Sequence, residues 1–431
     1  IYASAVNPDA LSYRRRHGLG NADEQMAILV QRVSGMRYKS TFFPALAGVA
    51  FSHNLYRWSD RIDPNQGIIR LVFGLGTRAV DRVEDDYPRM IPVSNPGLRP
   101  EMGPKIAFYS QRKLDLLDLT ENRFTTRHVA ELIGDADYPN LHLFLSFMEE
   151  GYVRDPEGHQ LKSVKNSIIT FNNLIVRTDF IKIMKGLLAK LESAYGYPID
   201  TEFTASIDPK GKLRINLLQC RPMRLAGLTE VGTVPEDIAP HRVLFRAGRA
   251  ISGGNIPHIR YIIYIDPGPY ARLASFETRL EMGRIVGQLN RHPEISVHPL
   301  MLMGPGRWGS SNVALGVNTT YADINNASVL VEIAREEAGH IPDVSYGTHF
   351  FLDLVESRIL YLPLYPDDPD SGFNQEFFKK SSNVLNHLLP DAGRFVEFIK
   401  VIDVPSVADG KHAQVVADPR TQKALCFIGA E

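Results

Sequence analysis

The segment 199–221 constrains this chain most. A run of strand character from Ile199 to Ile207 meets the turn Asp208-Pro209-Lys210-Gly211, and a second run covers 212–221, so the stretch reads as an antiparallel hairpin. A turn centred on Pro209 and Lys210 pairs Asp200 with Gln219 and Glu202 with Leu217. Strict alternation then sets Asp200, Glu202, Leu213, Ile215, Leu217, Gln219 and Arg221 on one face. Two carboxylates two residues apart on a strand project side by side, which suits hard oxygen ligands for Mg²⁺ bridging nucleotide phosphates. Gln219 and the guanidinium fork of Arg221 are then placed to meet phosphate oxygens. The competing reading is an edge hairpin whose carboxylates pair with Arg221 and Arg214 at the surface.

Around the hairpin, short β-branched runs at Met26–Val33, Ala47–Ser52 and Ile68–Phe73 predict buried strands, the last ending in Gly74-Leu75-Gly76. Residues 81–125 read as a long surface excursion, and apolar spacing over 178–196 predicts an amphipathic helix stopped by Gly196. The segment 225–240, with Gly227, Gly232, Pro235 and Pro240, is the linker candidate. Beyond it, strands are expected at Tyr261–Ile265 and Ser328–Ile333, and helices at 270–290 and from 350. The fold class is therefore α/β (α+β), in two domains, 1–228 and 229–431. The chain opens with Ile, and Ile1–Arg16 reads as the interior of a helix, so a fragment with an upstream lobe is expected.

Composition excludes several classes. The 431 residues are 44% hydrophobic and 23% charged, which is globular. The 48 basic and 49 acidic residues nearly cancel, so no global field holds a nucleic acid or an anionic membrane. Two cysteines, Cys220 and Cys426, fit a reducing cytoplasm, and no apolar run reaches the ~18 residues of a membrane span. A homo-oligomer is left open.

The order Ile1-Tyr2-Ala3-Ser4, Tyr13-Arg14, Val30-Gln31-Arg32-Val33, Gly48-Val49-Ala50-Phe51-Ser52, Gly74-Leu75-Gly76, Asp200-Thr201-Glu202-Phe203 and Leu218-Gln219-Cys220-Arg221-Pro222 resembles the ATP-grasp nucleotide domain of phosphoenolpyruvate synthase and pyruvate phosphate dikinase, over roughly residues 1–224. The resemblance implies ATP and Mg²⁺ as cofactors, with Asp200 and Glu202 on the metal and Gln219 and Arg221 on the nucleotide. It further implies nucleotide contacts from Gln31, Arg32, Val33, Gly74 and Gly76. Thr77 stands where the family usually has Glu, and the family's N-terminal lobe would lie upstream of Ile1.

The same family has a swivelling phosphohistidine domain, and residues 319–361 look like a diverged copy. His349 follows a strand and the loop Ser345-Tyr346-Gly347-Thr348 and precedes a helix-like run, an environment that favours a neutral imidazole and its phosphoryl adduct. His258, after Gly253-Gly254, is the rival, although a strand follows it. The loop Gly304-Pro305-Gly306-Arg307-Trp308-Gly309-Ser310-Ser311 offers an anion nest that includes Arg307, or else a turn made rigid by Trp308. By this resemblance, catalytic roles fall to His349 and Arg221, and the position of Arg307 just upstream of the His349 segment makes it the further catalytic candidate. The function implied is a dikinase-type phosphotransferase that passes the β-phosphoryl group of ATP through a histidine to pyruvate or another small acceptor. Residues 362–431 are too few for the family's phosphoenolpyruvate barrel. The alternative is a non-catalytic nucleotide-sensing module with a degenerate grasp fold.

Overall fold

Most of the β-branched and aromatic runs become strands, and they assemble into two compact units, Val30–Arg224 and Ile1–Leu29 together with Leu225–Glu431. The computed structural model describes the chain apart from residues 1, 17, 24, 55–57, 60, 81–85, 159–160, 162, 209–210, 224–231, 249, 251–252, 311–312, 314–315, 336–343, 346–349, 352–353, 355–356, 370 and 430–431.

The described residues of Val30–Arg224 form strands β1 (Met36–Tyr38), β2 (Thr41–Phe43), β3 (Leu46–Phe51), β4 (Ile68–Val72), β5 (Arg89–Pro92), β6 (Lys113–Asp118), β7 (Arg123–His128), β8 (Leu145–Glu149), β9 (Tyr152–Arg154), β10 (Ser167–Ile169), β11 (Ile199–Ile207) and β12 (Leu213–Pro222). The principal sheet is antiparallel in the order β12-β11-β3-β4-β5, beside β1-β2-β6-β7 and β10-β8-β9. One face of the principal sheet presents Leu46, Ala50, Ile69, Leu71, Ile91, Phe203 and Ala205 to a core shared with Phe180, Met184 and Leu188 of the Phe180–Tyr195 helix. That helix stops where expected: Gly196 takes φ 77° and returns its N–H to the Glu192 carbonyl.

Three expectations fail here. Met26–Val33 forms no strand, and Leu29 and Val30 are 78% and 87% exposed. Its apolar β-branched character lacks a partner strand among the described residues, and propensity alone does not build a ladder. Residues 81–125 are no surface excursion, since they supply β5, β6 and part of β7, with Ile91, Leu114 and Leu116 fully buried. Asp115 between those leucines hid the alternation, and its side chain is buried because its oxygens are all engaged. Finally, the opening of the chain does carry a start signal: Asn7 Oδ1 accepts the Ala10 N–H at 2.7 Å, and Pro8 begins the Pro8–Arg16 helix.

The other unit contributes β13 (Val243–Ala247), β14 (Gly254–Ile259), β15 (Tyr261–Ile265), β16 (Leu300–Pro305), β17 (Val329–Ile333), β18 (Leu360–Leu364), β19 (Gly372–Phe373), β20 (Ile399–Asp403), β21 (Ala413–Asp418) and β22 (Lys423–Ile428). An antiparallel sheet, β14-β21-β22-β13-β19, packs on a second sheet, β18-β17-β16-β15-β20, whose first four strands are parallel. Their shared core holds Tyr264, Met303, Val331 and Leu362 from one sheet and Phe245, Val415 and Cys426 from the other. Ile263, Leu302, Leu330 and Tyr361 alternate to the opposite face, the side that a β-α-β crossover covers. The crossover from β15 to β16 breaks the helix expected at 270–290 into Pro267–Ala271 and Phe276–Asn290, capped by Asp266 and Ser275.

The Phe276–Asn290 helix closes onto the chain through glycine. A Cβ on Gly283 would stand 1.7 Å from the Asn318 carbonyl oxygen, whereas one on Gly287 would meet a side-chain oxygen of Asp323 at 2.2 Å. Backbone yields less than a carboxylate, so Gly283→Ala is expected to destabilise this unit by about 1–3 kcal/mol in chemical denaturation, and Gly287→Ala by less. Equal, negligible costs would refute the close approach.

Candidate functional site

The hairpin folds where expected but in a different register. Beyond the turn, Ile207 pairs with Leu213 and Phe203 with Leu217, and the ladder then slips, so that Glu202 pairs with Gln219 and Asp200 with Arg221. Leu218 is the extra residue of a β-bulge. The expected single face of Asp200, Glu202, Leu213, Ile215, Leu217, Gln219 and Arg221 is therefore divided. Leu213 and Ile215 pack against the core beside Ile207 and Ala205. Gln219 and Arg221, with their phase inverted, join the two carboxylates on the other face.

On that face Arg221 closes on Asp200: Nε and Nη2 lie 2.9 and 2.8 Å from Asp200 Oδ2. The Asp200 side chain is 7% exposed and that of Arg221 39%, so the pair is half in solvent. The competing reading of the hairpin therefore holds for the Asp200–Arg221 pair. Glu202 is half-buried and Gln219 exposed. The register carries the face across the sheet: Glu202, Val49 and Arg70 form one row, and Thr204, Ala47 and Val72 another. Arg70 is 4% exposed, a buried cation on the carboxylate face that the sequence reading passed over. Its position in phase with Val49 was the available signal.

The glycine loop reaches the same face. Val72, Ala47 and Ala79 pack together, so the short Thr77–Val80 helix after Gly74-Leu75-Gly76 lies over it, and a Cβ on Gly76 would touch Ala47 at 3.4 Å. Gly74 has φ 97°, and any side chain there would meet the Asp115 carbonyl, which also accepts the Leu75 N–H at 2.9 Å. The Asp115 carboxylate accepts from Thr77, from Arg78 Nε at 3.1 Å and from Thr126 at 2.6 Å. Arg78 also bonds Asp86 at 3.0 Å, and burial pushes the Asp86 carboxyl up despite the backbone N–H groups of Arg112 and Lys113. Thr77, where the resembling family has Glu, is thus occupied in anchoring the loop.

The residues Gln31, Arg32 and Val33 are exposed, and their segment is fastened to the hairpin. Gln31 Nε2 donates to the Leu218 carbonyl, the residue that the bulge frees from the ladder, at 3.3 Å, and the Ser34 hydroxyl bonds Thr204. Gln31, Gly74, Gly76, Asp200, Glu202, Gln219 and Arg221 thus border one partly open sheet face. Among the described residues no three His, Cys, Asp or Glu converge as a metal cluster. A carboxylate pair that leaves the remaining positions to phosphate and water oxygens is nonetheless a common coordination for Mg²⁺.

In the other unit His349 lies outside the described residues, as do Ser311 of the glycine-rich loop and part of the helix expected from 350. Arg307 follows the carboxyl end of β16 and is buried, and its charge acts on the Tyr361 hydroxyl. Glu332, fully buried on β17, accepts from the Trp308 N–H at 2.8 Å, the Ser345 N–H at 2.5 Å, the Ser345 hydroxyl and the Tyr361 hydroxyl at 2.7 Å. Burial raises its carboxyl above the usual range, and these donors offset part of the rise. Trp308 is buried and Gly306 and Gly309 take positive φ, so the described part of the loop is a tryptophan-anchored turn with the Trp308 N–H already spent. His258, the rival histidine, stands at a bulge in β14 with φ 57° and its ring 5.8 Å from that of His412. No helix among the described residues is long and apolar enough to cross a membrane.

Residues 1–240 match the family model described as pyruvate phosphate dikinase, AMP/ATP-binding domain, and no curated protein matches the chain. Arg221→Met is expected to cost about 1–2 kcal/mol, discounted for the solvent-facing guanidinium, because it leaves the Asp200 carboxylate buried without its cation. Glu202→Gln is expected to stay within ~0.5 kcal/mol of wild type. Urea denaturation separates the two, and equal costs would contradict this register.

Proposed function

Since the chain belongs to the family of the pyruvate phosphate dikinase AMP/ATP-binding domain, we propose that it is an ATP-dependent phosphotransferase working through a phosphohistidine. ATP binds over the face that carries Asp200, Glu202 and Arg70, with the glycine loop at one end and Gln31–Val33 along the edge. What carries the reading is the convergence on this face of Gln219, Arg221 and the two carboxylates, which the bulge at Leu218 brings about in this sequence.

Asp200 and Glu202 are the residues that would hold Mg²⁺, which supplies charge neutralisation to the phosphates when bound. Arg221, held by Asp200, would meet phosphate oxygens, and Gln219 would orient them. ATP, the imidazole of His349 and water yield AMP, phosphohistidine and inorganic phosphate, and the phosphoryl group then passes to pyruvate or another small acceptor. Arg307, after the carboxyl end of β16, is the cation proposed to stabilise charge during that transfer. The occupied Thr77 hydroxyl favours a second reading, a nucleotide sensor that binds ATP without transfer.

Labelling the full-length protein with β-³²P-ATP and Mg²⁺ decides between them. Acid-labile label in wild type, lost in His349→Ala, is the expected result; label that survives moves the role to another histidine, His258 first. MgATP at ~100 times its dissociation constant should stabilise the chain by ~2.7 kcal/mol in thermal denaturation, and Glu202→Gln should need a higher concentration. Stabilisation without label supports the sensor, and absence of both overturns nucleotide binding.

A further inference from the structure

Arg260 is the single residue between β14 and β15, so the chain passes through it from one sheet of the unit that contains Leu225–Glu431 to the other. Its backbone is tied on both sides: its N–H donates to the Pro299 carbonyl at 3.1 Å, and its carbonyl accepts the Val404 N–H at 2.8 Å. The guanidinium lies over the Tyr261 ring, 5.2 Å from its centroid. Nε donates to Asp403 Oδ1 at 3.2 Å, at the end of β20, and Nη1 lies 3.3 Å from Nε2 of His298, which precedes β16. A guanidinium has donors and no acceptor, so His298 Nε2 accepts and that imidazole is neutral in this contact. A proton on Nε2 would set N–H against N–H and cation against cation.

A second pair of imidazoles stands at the same corner. His412, half-buried just before β21, has its ring 5.8 Å from that of His258 at the β14 bulge. Burial first, and then the neighbouring His258, Arg260 and His298, pull the His412 imidazole below its ordinary value, and Asp403 opposes them. Asp403 is already engaged by Arg260 and accepts from the Ser406 hydroxyl at 2.6 Å. The exposed Glu294 acts with Asp403 on the Tyr261 hydroxyl, against the pull of Arg260. Three imidazoles and a guanidinium thus gather around the carboxylate of Asp403, and a proton taken up here is taken up against existing positive charge.

We propose that His298 and His412 make this corner an acid-sensitive latch: with neutral imidazoles Arg260 fastens the β14–β15 corner to the entry of β16, and on protonation it is driven off His298 and the β14–β21 end of the sheet loosens. The sign follows from the depressed His412 imidazole. The unfolded chain takes up the proton first, so the latch is complete above about pH 6.5 and weakens as the pH falls below it.

Amide hydrogen exchange on the full chain, corrected for its intrinsic pH dependence, reads the latch locally. From about pH 7.5 to about pH 5.5, opening of Gly254–Ile259 and Ala413–Asp418 should rise by about fivefold or more in wild type. His298→Gln keeps an oxygen that can accept from Arg260 and takes up no proton; combined with His412→Gln it should hold the rise to within about twofold. His258→Asn removes the charge that faces His412, at a backbone φ of 57° that Asn tolerates, and should cut the rise by about half. If the double variant does not fold, His258→Asn still decides. Opening that does not change with pH in wild type, or a full wild-type rise that persists in either variant, overturns the latch.

Discussion

The slip between Glu202 and Phe203 in the β11/β12 ladder is the constraint on which the candidate site depends. Up to Ile215, odd-numbered residues of β12 follow Ala205 and Ile207 toward the core. Without an extra residue, Gln219 and Arg221 would continue inward and Leu218 and Cys220 would face the carboxylates. The bulge inverts that phase, sends Cys220 to the core beside Thr201, and brings a guanidinium within 2.8 Å of Asp200. It also releases the Leu218 carbonyl to accept from Gln31, which fastens the edge segment to the hairpin. One inserted residue therefore supplies both the charge pair and the edge contact.

The identity of the hairpin, the strands at Leu46–Phe51, Ile68–Val72 and Tyr261–Ile265, and the glycine stop at 196 were legible because each follows from local periodicity or backbone preference. The register was not, because a bulge is invisible to a period-two reading. Arg70 and Asp115 were missed for a related reason. A charged residue inside an apolar strand reads as an interruption until the cross-strand row or the partner set is known, and the partners of Asp115, Thr77, Arg78 and Thr126, come from two separate stretches of sequence. The exposed run Ile28–Val33 failed in the opposite direction, since its composition is that of a strand and its neighbours provide no ladder.

In the unit that contains Leu225–Glu431, the polar chemistry gathers at the carboxyl ends of the parallel strands. Glu332 collects two backbone N–H groups and two hydroxyls and so joins the turn after β16, the segment at Ser345 and the start of β18 into one buried knot. A carboxylate so provided for is a fastening. The sequence motif around Trp308 drew notice for its glycines, yet its buried indole and this carboxylate are what hold the described turn.

The bulge at Leu218 has a further consequence for how variation along β12 should be weighed. The strand obeys two opposite rules on either side of one leucine: at 213 and 215 the fold demands apolar residues, whereas at 219 and 221, still odd positions of the same strand, it demands solvent-facing ones. Deleting Leu218 would straighten the ladder and leave Gln219 opposite Glu202. Any insertion or deletion nearer the turn, with Leu218 retained, sets the two rules at odds. Relatives are therefore best aligned through the Asp-x-Glu and Gln-x-Arg pairs themselves.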